Sequence, residues 1–321
     1  VLTALAVKMS AFIHETQKER GMTAGFIGSK GRSFAGPDGL PGQRKLTDSK
    51  LTDLKEYISE TDLDKFGDEF NDRLIDAMKH AEEYDSYRKR VTALTISTTE
   101  AIGFYTEQNS LLLELLHFIG VHVPTVEIRT QLNAYGNFLK GKERAGIERA
   151  VLSNAFGMDK LTFTAFKTFN NLVVNQEVYF EVFTTDATDE QRTFFSNTLS
   201  GSSVNEVQRM RDIAFENVGK ESLGHIDPTY WFEQMTTKIN LMLDIELKLA
   251  SDFDIAVAEH RSSATYGMII FIVLVILLLI VLVIFSIYVV LKVTKPIERL
   301  KNVVLSKLSG QLKDIVSKFK V

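Results

Sequence analysis

Apolar positions recur at three- and four-residue steps over most of the chain, the spacing of one face of a helix. Leu2, Leu5, Met9, Phe12, Ile13 and Thr16 make the first such face, which then runs into Glu19 and Arg20, charges standing where apolar residues should continue. The periodicity weakens at about Gly21, and residues 28–44 (GSKGRSFAGPDGLPGQR) hold five glycines and two prolines. This reads as a surface connection, since a phosphate-cradling loop would need GxxxxGK[ST] and no match occurs. Thr47 or Asp48 is expected to cap a helix beginning at about Ser49. Helical patterns follow at 49–60, 62–83 and 84–119, the last carrying Leu94, Ile96, Ile102, Leu111, Leu112 and Leu115. Val123-Pro124-Thr125 breaks the chain and opens a helix over 125–156, with Ile128, Leu132, Tyr135 and Leu139 in one stripe. Lys142, Gly146 and Arg149 continue that side in a densely charged stretch interleaved with Gly141, Ala145 and Gly146. Small residues let helices approach closely, and the glycines cost helix stability that something must offset.

Residues 157–224 read as two or more helices with a polar break at Thr184–Asp189, the first with Phe163, Phe166, Phe169, Leu172 and Val173 on its apolar face. Asp227 caps the next helix, with Pro228 at its first position and a stripe through Trp231, Met235, Ile239, Met242, Ile245, Leu249, Phe253 and Ala256. No proline or glycine follows until Gly267, so the spacing predicts one helix of about 65 residues. Its second part is the uncharged run Gly267–Leu291, about 37 Å long as a helix and so enough to cross a hydrocarbon core of about 30 Å. Beyond it, Ile297, Leu300, Val304 and Leu308 predict an amphipathic helix that Gly310 would end.

Charge orients that run. Lys292, Lys295, Arg299, Lys301, Lys307, Lys313, Lys318 and Lys320 face only Glu298 and Asp314, whereas the residues before Tyr266 are net acidic. Positive charge beside a membrane end favours the cytoplasmic side. We therefore expect residues 1–265 outside the cytoplasm, a transmembrane helix over 266–293, and a cytoplasmic segment over 294–321. The apolar start, VLTALAV, fits a chain that begins just after an earlier span. Five prolines in 321 residues predict an all-α fold. Without cysteine there are no disulfides or thiolate sites, and no basic, aromatic-interleaved patch points to nucleic acid.

Catalytic patterns are scarce, and no enzyme, cofactor or metal is expected. His14-Glu15-Thr16-Gln17-Lys18 misses HExxH because Lys18 stands where the second imidazole must be. His117 and His122 sit among apolar residues and read as packing. What remains is a set of arginines. Arg20 continues an apolar face, and Arg144 and Arg149 lie in the charged, small-residue turns. They could be ordinary ion pairs, Arg144 with Glu148 and Arg20 with a carboxylate across the bundle. They could equally build an anion pocket, because a guanidinium fork matches the edge of a planar oxyanion.

Gln17-Lys18-Glu19-Arg20-Gly21, Gln43-Arg44-Lys45-Leu46-Thr47-Asp48 and Lys142-Glu143-Arg144-Ala145-Gly146-Ile147-Glu148-Arg149-Ala150 occur in that order, followed by Trp231-Phe232 with Thr236, Thr237 and Ile239. Together these resemble the nitrate- and nitrite-sensing (NIT) domain family across about residues 10–250. The resemblance implies two stacked four-helix bundles, usually dimeric, that bind nitrate or nitrite through arginines, here Arg20, Arg44, Arg144 and Arg149. It departs at Lys238, where the family's final helix often has Arg. Thr294-Lys295-Pro296-Ile297 is similar to the start of a HAMP linker, incomplete here. Sensor, span and linker together resemble a bacterial methyl-accepting chemotaxis receptor or sensor histidine kinase, which implies a periplasmic domain over 1–265, the bacterial inner membrane as location and a cytoplasmic output domain as partner. An organic acid as ligand, or a structural ectodomain that senses through another protein, are the competing readings.

Overall fold

The computed structural model describes residues 2–121 and 125–318, and these are all-α. The chain divides into two compact units, Val1–Val257 and Ala258–Val321.

In the first unit α1 (Leu2–Gly28) continues unbroken past Gly21. The helix α2 (Leu40–Glu60) begins well before the expected cap at Thr47 or Asp48. Pro41 explains the difference: in a first turn its missing N–H costs nothing and its fixed φ suits the helix. Thr47 is interior, its hydroxyl donating to the carbonyl of Gln43 at 3.1 Å. The patterns at 62–83 and 84–119 are each interrupted. A 3-10 turn at Asp64–Phe66 and Gly67 at φ +89° precede α3 (Asp68–Ala81). Leu94 at φ +53° separates α4 (Tyr84–Thr92) from α5 (Thr98–Val121). Periodicity cannot register a single left-handed residue. His122 lies outside the described residues, as does the side chain of His117.

After this, α6 (Val126–Gly157) matches its pattern closely. The stretch 157–224 holds α7 (Phe163–Asp186), α8 (Asp189–Thr198) and α9 (Ser202–Glu216). Thr162 caps α7, and Thr188 with Gln191 forms a capping box on α8. α10 (Pro228–Val289) is capped by Asp227, whose carboxylate accepts from the Thr229 amide at 2.8 Å.

The helices form two four-membered groups. In one, α1 packs with α2, α5 and the α3–α4 pair, closed by rings such as Phe12, Tyr84 and Phe104. In the other, α6 packs with α7, the α8–α9 pair and the first part of α10 through Phe138, Phe183, Phe195, Phe156 and Trp231. The groups meet along α1 and α6.

Buried ion pairs fasten α6 to its neighbours. Glu148 on α6 accepts from Arg211 Nε and Nη2 on α9, both at 2.6 Å, and from Gln176 on α7 at 2.7 Å. Burial alone would raise the pKa of this carboxyl, but the Arg211 charge and hydrogen bonds hold it below the usual range. Lys142 on α6 reaches Glu246 on α10 at 2.6 Å.

In the second unit the remainder of α10 is apolar and exposed from Met268 to Tyr288, long and apolar enough to cross a membrane by length and composition. A π turn at Val290–Thr294 follows, then α11 (Lys295–Lys318). Pro296 accounts for the turn: lacking an N–H, it cannot bond back to residue 292, and the helix widens there. α11 runs through Gly310 rather than ending at it.

The Glu148 network sets a stability test. Arg211→Met strands a buried carboxylate and is expected to cost about 3–5 kcal/mol. Adding Glu148→Leu should recover much of that loss. Thermal unfolding followed by circular dichroism, on the full chain in detergent, measures both, and equal stability of Arg211→Met and wild type would show that the pair carries no such weight.

Candidate functional site

Two of the four arginines singled out in the sequence converge where α1 meets α6. Both are fully buried. Arg20, on α1, donates from Nη1 to Glu143 Oε1 at 2.5 Å and from Nη2 to Glu143 Oε2 at 3.2 Å, with a further bond from Nη1 to Thr106 Oγ1 at 2.9 Å. Glu143 Oε2 also accepts from Gln17 Nε2 at 2.7 Å and Asn109 Nδ2 at 3.0 Å, so both carboxylate oxygens are engaged. Arg20 therefore does find a carboxylate across the bundle, and that carboxylate belongs to the Lys142–Ala150 segment.

Arg149, on α6, is different. Its Nη1 donates to Thr236 Oγ1 at 2.8 Å and its Nη2 to the Gln17 carbonyl at 2.7 Å. The guanidinium carbon lies 4.7 Å from the centre of the Phe232 ring. Among the described residues no carboxylate lies within ion-pairing distance of it. Burial first, and then the charge of Arg20, push its pKa down to about 9, with Glu143 and Glu15 opposing only in part. A buried guanidinium held by neutral acceptors is costly, and an anion beside it would remove much of that cost.

The site keeps free hydrogen-bonding capacity. Nε of Arg20, Nε of Arg149, Oε1 of Gln17 and both ring nitrogens of His14 are buried without a partner. Buried polar groups are nearly always paired, so a cluster of exceptions marks a place built for something else. Two glycines make the space. A Cβ at Gly146 would stand 2.8 Å from Arg20 Nη2, and one at Gly21 would stand 2.7 Å from Phe232 and 3.0 Å from Arg149 Nε. The small residues of the charged turn thus admit the guanidinium of the opposite helix, and that close approach is what their helix cost sustains.

The other two arginines are elsewhere. Arg44, on α2, bonds Thr92 Oγ1 at 3.0 Å and the Arg88 carbonyl at 3.3 Å, with Nε 3.8 Å from Glu19. It sits beside the pair in which Arg88 grips Glu19 at 2.7 and 2.8 Å while Tyr105 donates to Glu19 at 2.8 Å. Arg144 lies over the Tyr179 ring of α7 at 5.8 Å. Its expected partner Glu148 is occupied by Arg211. Lys238 is buried on α10 and faces this Glu148–Arg211 network, where burial and then the Arg211 charge lower its pKa to about 8.

Spacing along α1 and α6 gave the arginines but not Glu143, Gln17 or Thr236, since acceptors across a bundle leave no trace in either helix alone. His14 was visible only as part of a failed metal motif.

An all-helical sensor domain with a buried, uncompensated guanidinium is the class that fold and site define. The family profile for nitrate and nitrite sensing, NIT, matches residues 11–254, and the chain belongs to this family. A nitrate regulatory protein from Klebsiella oxytoca is 24% identical over 248 residues, 77% of this chain; the chain spans 61% of that relative's length. The solved structure of the NasR transcription antiterminator shares the fold, with a TM-score of 0.72 at 23% identity over 78% of this chain and 67% of the other.

The unpaired charge sets the next test. Arg149→Met, which keeps volume and removes the charge, is expected to leave the ligand-free chain as stable as wild type or more so, by up to about 4 kcal/mol. Glu143→Leu should destabilise it, since Arg20 would then be stranded. Melting in buffer free of small oxyanions compares the two, and a large loss in Arg149→Met would mean that its hydrogen bonds outweigh its desolvation.

Proposed function

We propose that the chain is the sensing part of a membrane-anchored receptor in which nitrate or nitrite binds between α1 and α6, at Arg149 and Arg20. The observation that carries this is the fully buried Arg149 guanidinium without a carboxylate, in a chain of the nitrate- and nitrite-sensing family. A small planar monoanion suits the place. It neutralises one charge and accepts in the plane of the guanidinium from donors already held. Charge-assisted bonds of about 1.5–3 kcal/mol each, two or three of them, supply much of the roughly 8 kcal/mol that a micromolar ligand requires. Arg44 and Arg144 act in this reading through the helices they brace.

Signalling follows from what α6 touches. Arg149 bonds the Gln17 carbonyl of α1 and Thr236 of α10, while Trp231 of α10 donates to the Arg149 carbonyl at 3.0 Å. An anion that draws α1 and α6 together changes the seat of α10, whose apolar part we read as the membrane span and α11 as the start of a cytoplasmic HAMP-like linker. Only a difference in affinity between the two arrangements can drive that shift. We read the receptor as a homodimer of the chemotaxis type. A sensor kinase would use the same sensing half, and antitermination, the function in the name of the NasR structure, belongs to that protein.

Nitrate and nitrite should raise the melting temperature of the wild-type chain in detergent and give saturable heat in calorimetry, with chloride and acetate much weaker. Arg149→Ala should abolish binding while keeping helix content, and Arg149→Lys should restore it only in part, because a point charge lacks the fork. If Arg149→Ala binds nitrate at wild-type concentrations, the pocket is elsewhere. For the dimer, single cysteines along residues 245–256 should crosslink with a helical period peaking at the exposed positions Leu247, Ser251 and Ile255, and a flat profile would contradict it.

A further inference from the structure

His14 stands one turn before Gln17 on α1, and the Gln17 carbonyl accepts from Arg149 of α6. The His14 side chain is only 4% exposed, and neither ring nitrogen has a hydrogen-bond partner. An imidazole buried with both nitrogens idle is expensive, because each unmet group has given up its water without a replacement. Packing alone would be served better by Leu or Phe at this position. The idle atoms also have company: Gln17 Oε1, one turn on along α1, and Nε of Arg149, the side chain that bonds the Gln17 carbonyl, lack partners too.

The charges around His14 are accounted for one by one. From its own helix it feels Lys18, which is paired with Glu15 at 3.2 Å. From α6 it feels Lys142, which is paired with Glu246 of α10 at 2.6 Å, and Arg149, which has no carboxylate. The field at the ring is therefore positive, with Lys142 its largest source and Arg149 adding to it. Burial first, then Lys142, Lys18 and Arg149, hold the imidazole well below its usual pKa, so the empty site contains a neutral ring.

We propose that His14 is a ligand-contacting residue of the Arg149 pocket, donating a hydrogen bond to the bound anion and taking up a proton as the anion binds. The inference rests on the anion reading given above and extends it. An anion beside the ring both accepts from it and opposes the positive field that adds to burial in keeping it neutral. The proton balance is simple: the free imidazole gains H⁺ from solvent, the anion stays ionised, and the complex leaves the site with one positive charge more than the anion alone would. The sign follows. With the pKa raised in the complex, affinity is greatest below that value, declines with rising pH, and levels off once His14 stays neutral in both states.

Isothermal titration of the full chain in detergent with sodium nitrate, in two buffers of different ionisation enthalpy, reads the proton directly. A buffer-dependent heat showing net proton uptake is expected, with binding roughly tenfold tighter at about pH 6 than at about pH 8. His14→Gln, which keeps a donor without titrating, should bind severalfold more weakly, without proton uptake and with a flat pH profile. His14→Asn serves the same purpose if the first variant does not fold, and should neither fold, uptake in the wild type decides. Saturable nitrate binding with no buffer dependence, or uptake that persists in the variant, overturns the role of His14 while leaving the anion pocket standing. No saturable nitrate heat at all would remove the pocket and this inference together.

Discussion

The arrangement of the sensor domain depends on a positive charge kept out of water without a negative partner. Arg149 is fully buried, and its acceptors are a hydroxyl and a backbone carbonyl from two other helices. Those bonds orient the guanidinium but do not neutralise it. Everything nearby conforms to that constraint. Glu143, a carboxylate whose charge Arg149 feels, is held in place by Arg20, Gln17 and Asn109. The Phe232 face supplies the weak attraction a π system offers a cation, useful in a dry site but smaller than an ion pair.

The other buried charges show how unusual this is within the same molecule. Arg88 holds Glu19, Arg211 holds Glu148, and Lys142 holds Glu246, each within 2.6–2.8 Å. Such pairs are weak sources of net stability, because desolvation offsets most of the attraction, but breaking one leaves a charge stranded. They act as keys that allow one arrangement of α1, α4, α6, α9 and α10. Against that background two buried cations lack an ion pair among the described residues; Lys238 still feels the Glu148 carboxylate, whereas Arg149 has idle polar atoms around it.

Much of this was legible in the sequence. Long helix patterns and scarce prolines gave the all-α fold, and α6 ends within a residue or so of its pattern because Pro124 and the loss of apolar spacing bound it. The breaks that went unseen have local causes: Pro41 starts α2 early, and Leu94 turns the chain with one left-handed residue. Of the arginines, Arg20 and Arg149 come together because each is flanked by a glycine that faces the opposite helix, Gly21 beside Arg20 and Gly146 one turn from Arg149. Arg144 also has such a glycine, but Gly141, one turn before it, faces Phe180 of α7, and Arg144 accordingly lies over Tyr179 there rather than against α1.

The geometry also constrains how such a site can report. Arg149 cannot move without disturbing α1 through the Gln17 carbonyl and α10 through Thr236, while its own backbone carbonyl is held by Trp231. A ligand that strengthens one of these links at the expense of another changes the relation of three helices at once. The core around them is tightly packed, with Trp231, Met235 and Ile239 fully buried on α10, so small shifts are passed on rather than absorbed. The Glu148–Arg211 and Lys142–Glu246 pairs pin α6 to α9 and α10 within the two turns before Arg149 and resist sliding along its axis. What is left to α6 is rotation or approach towards α1, which is the motion an anion between two guanidiniums would favour.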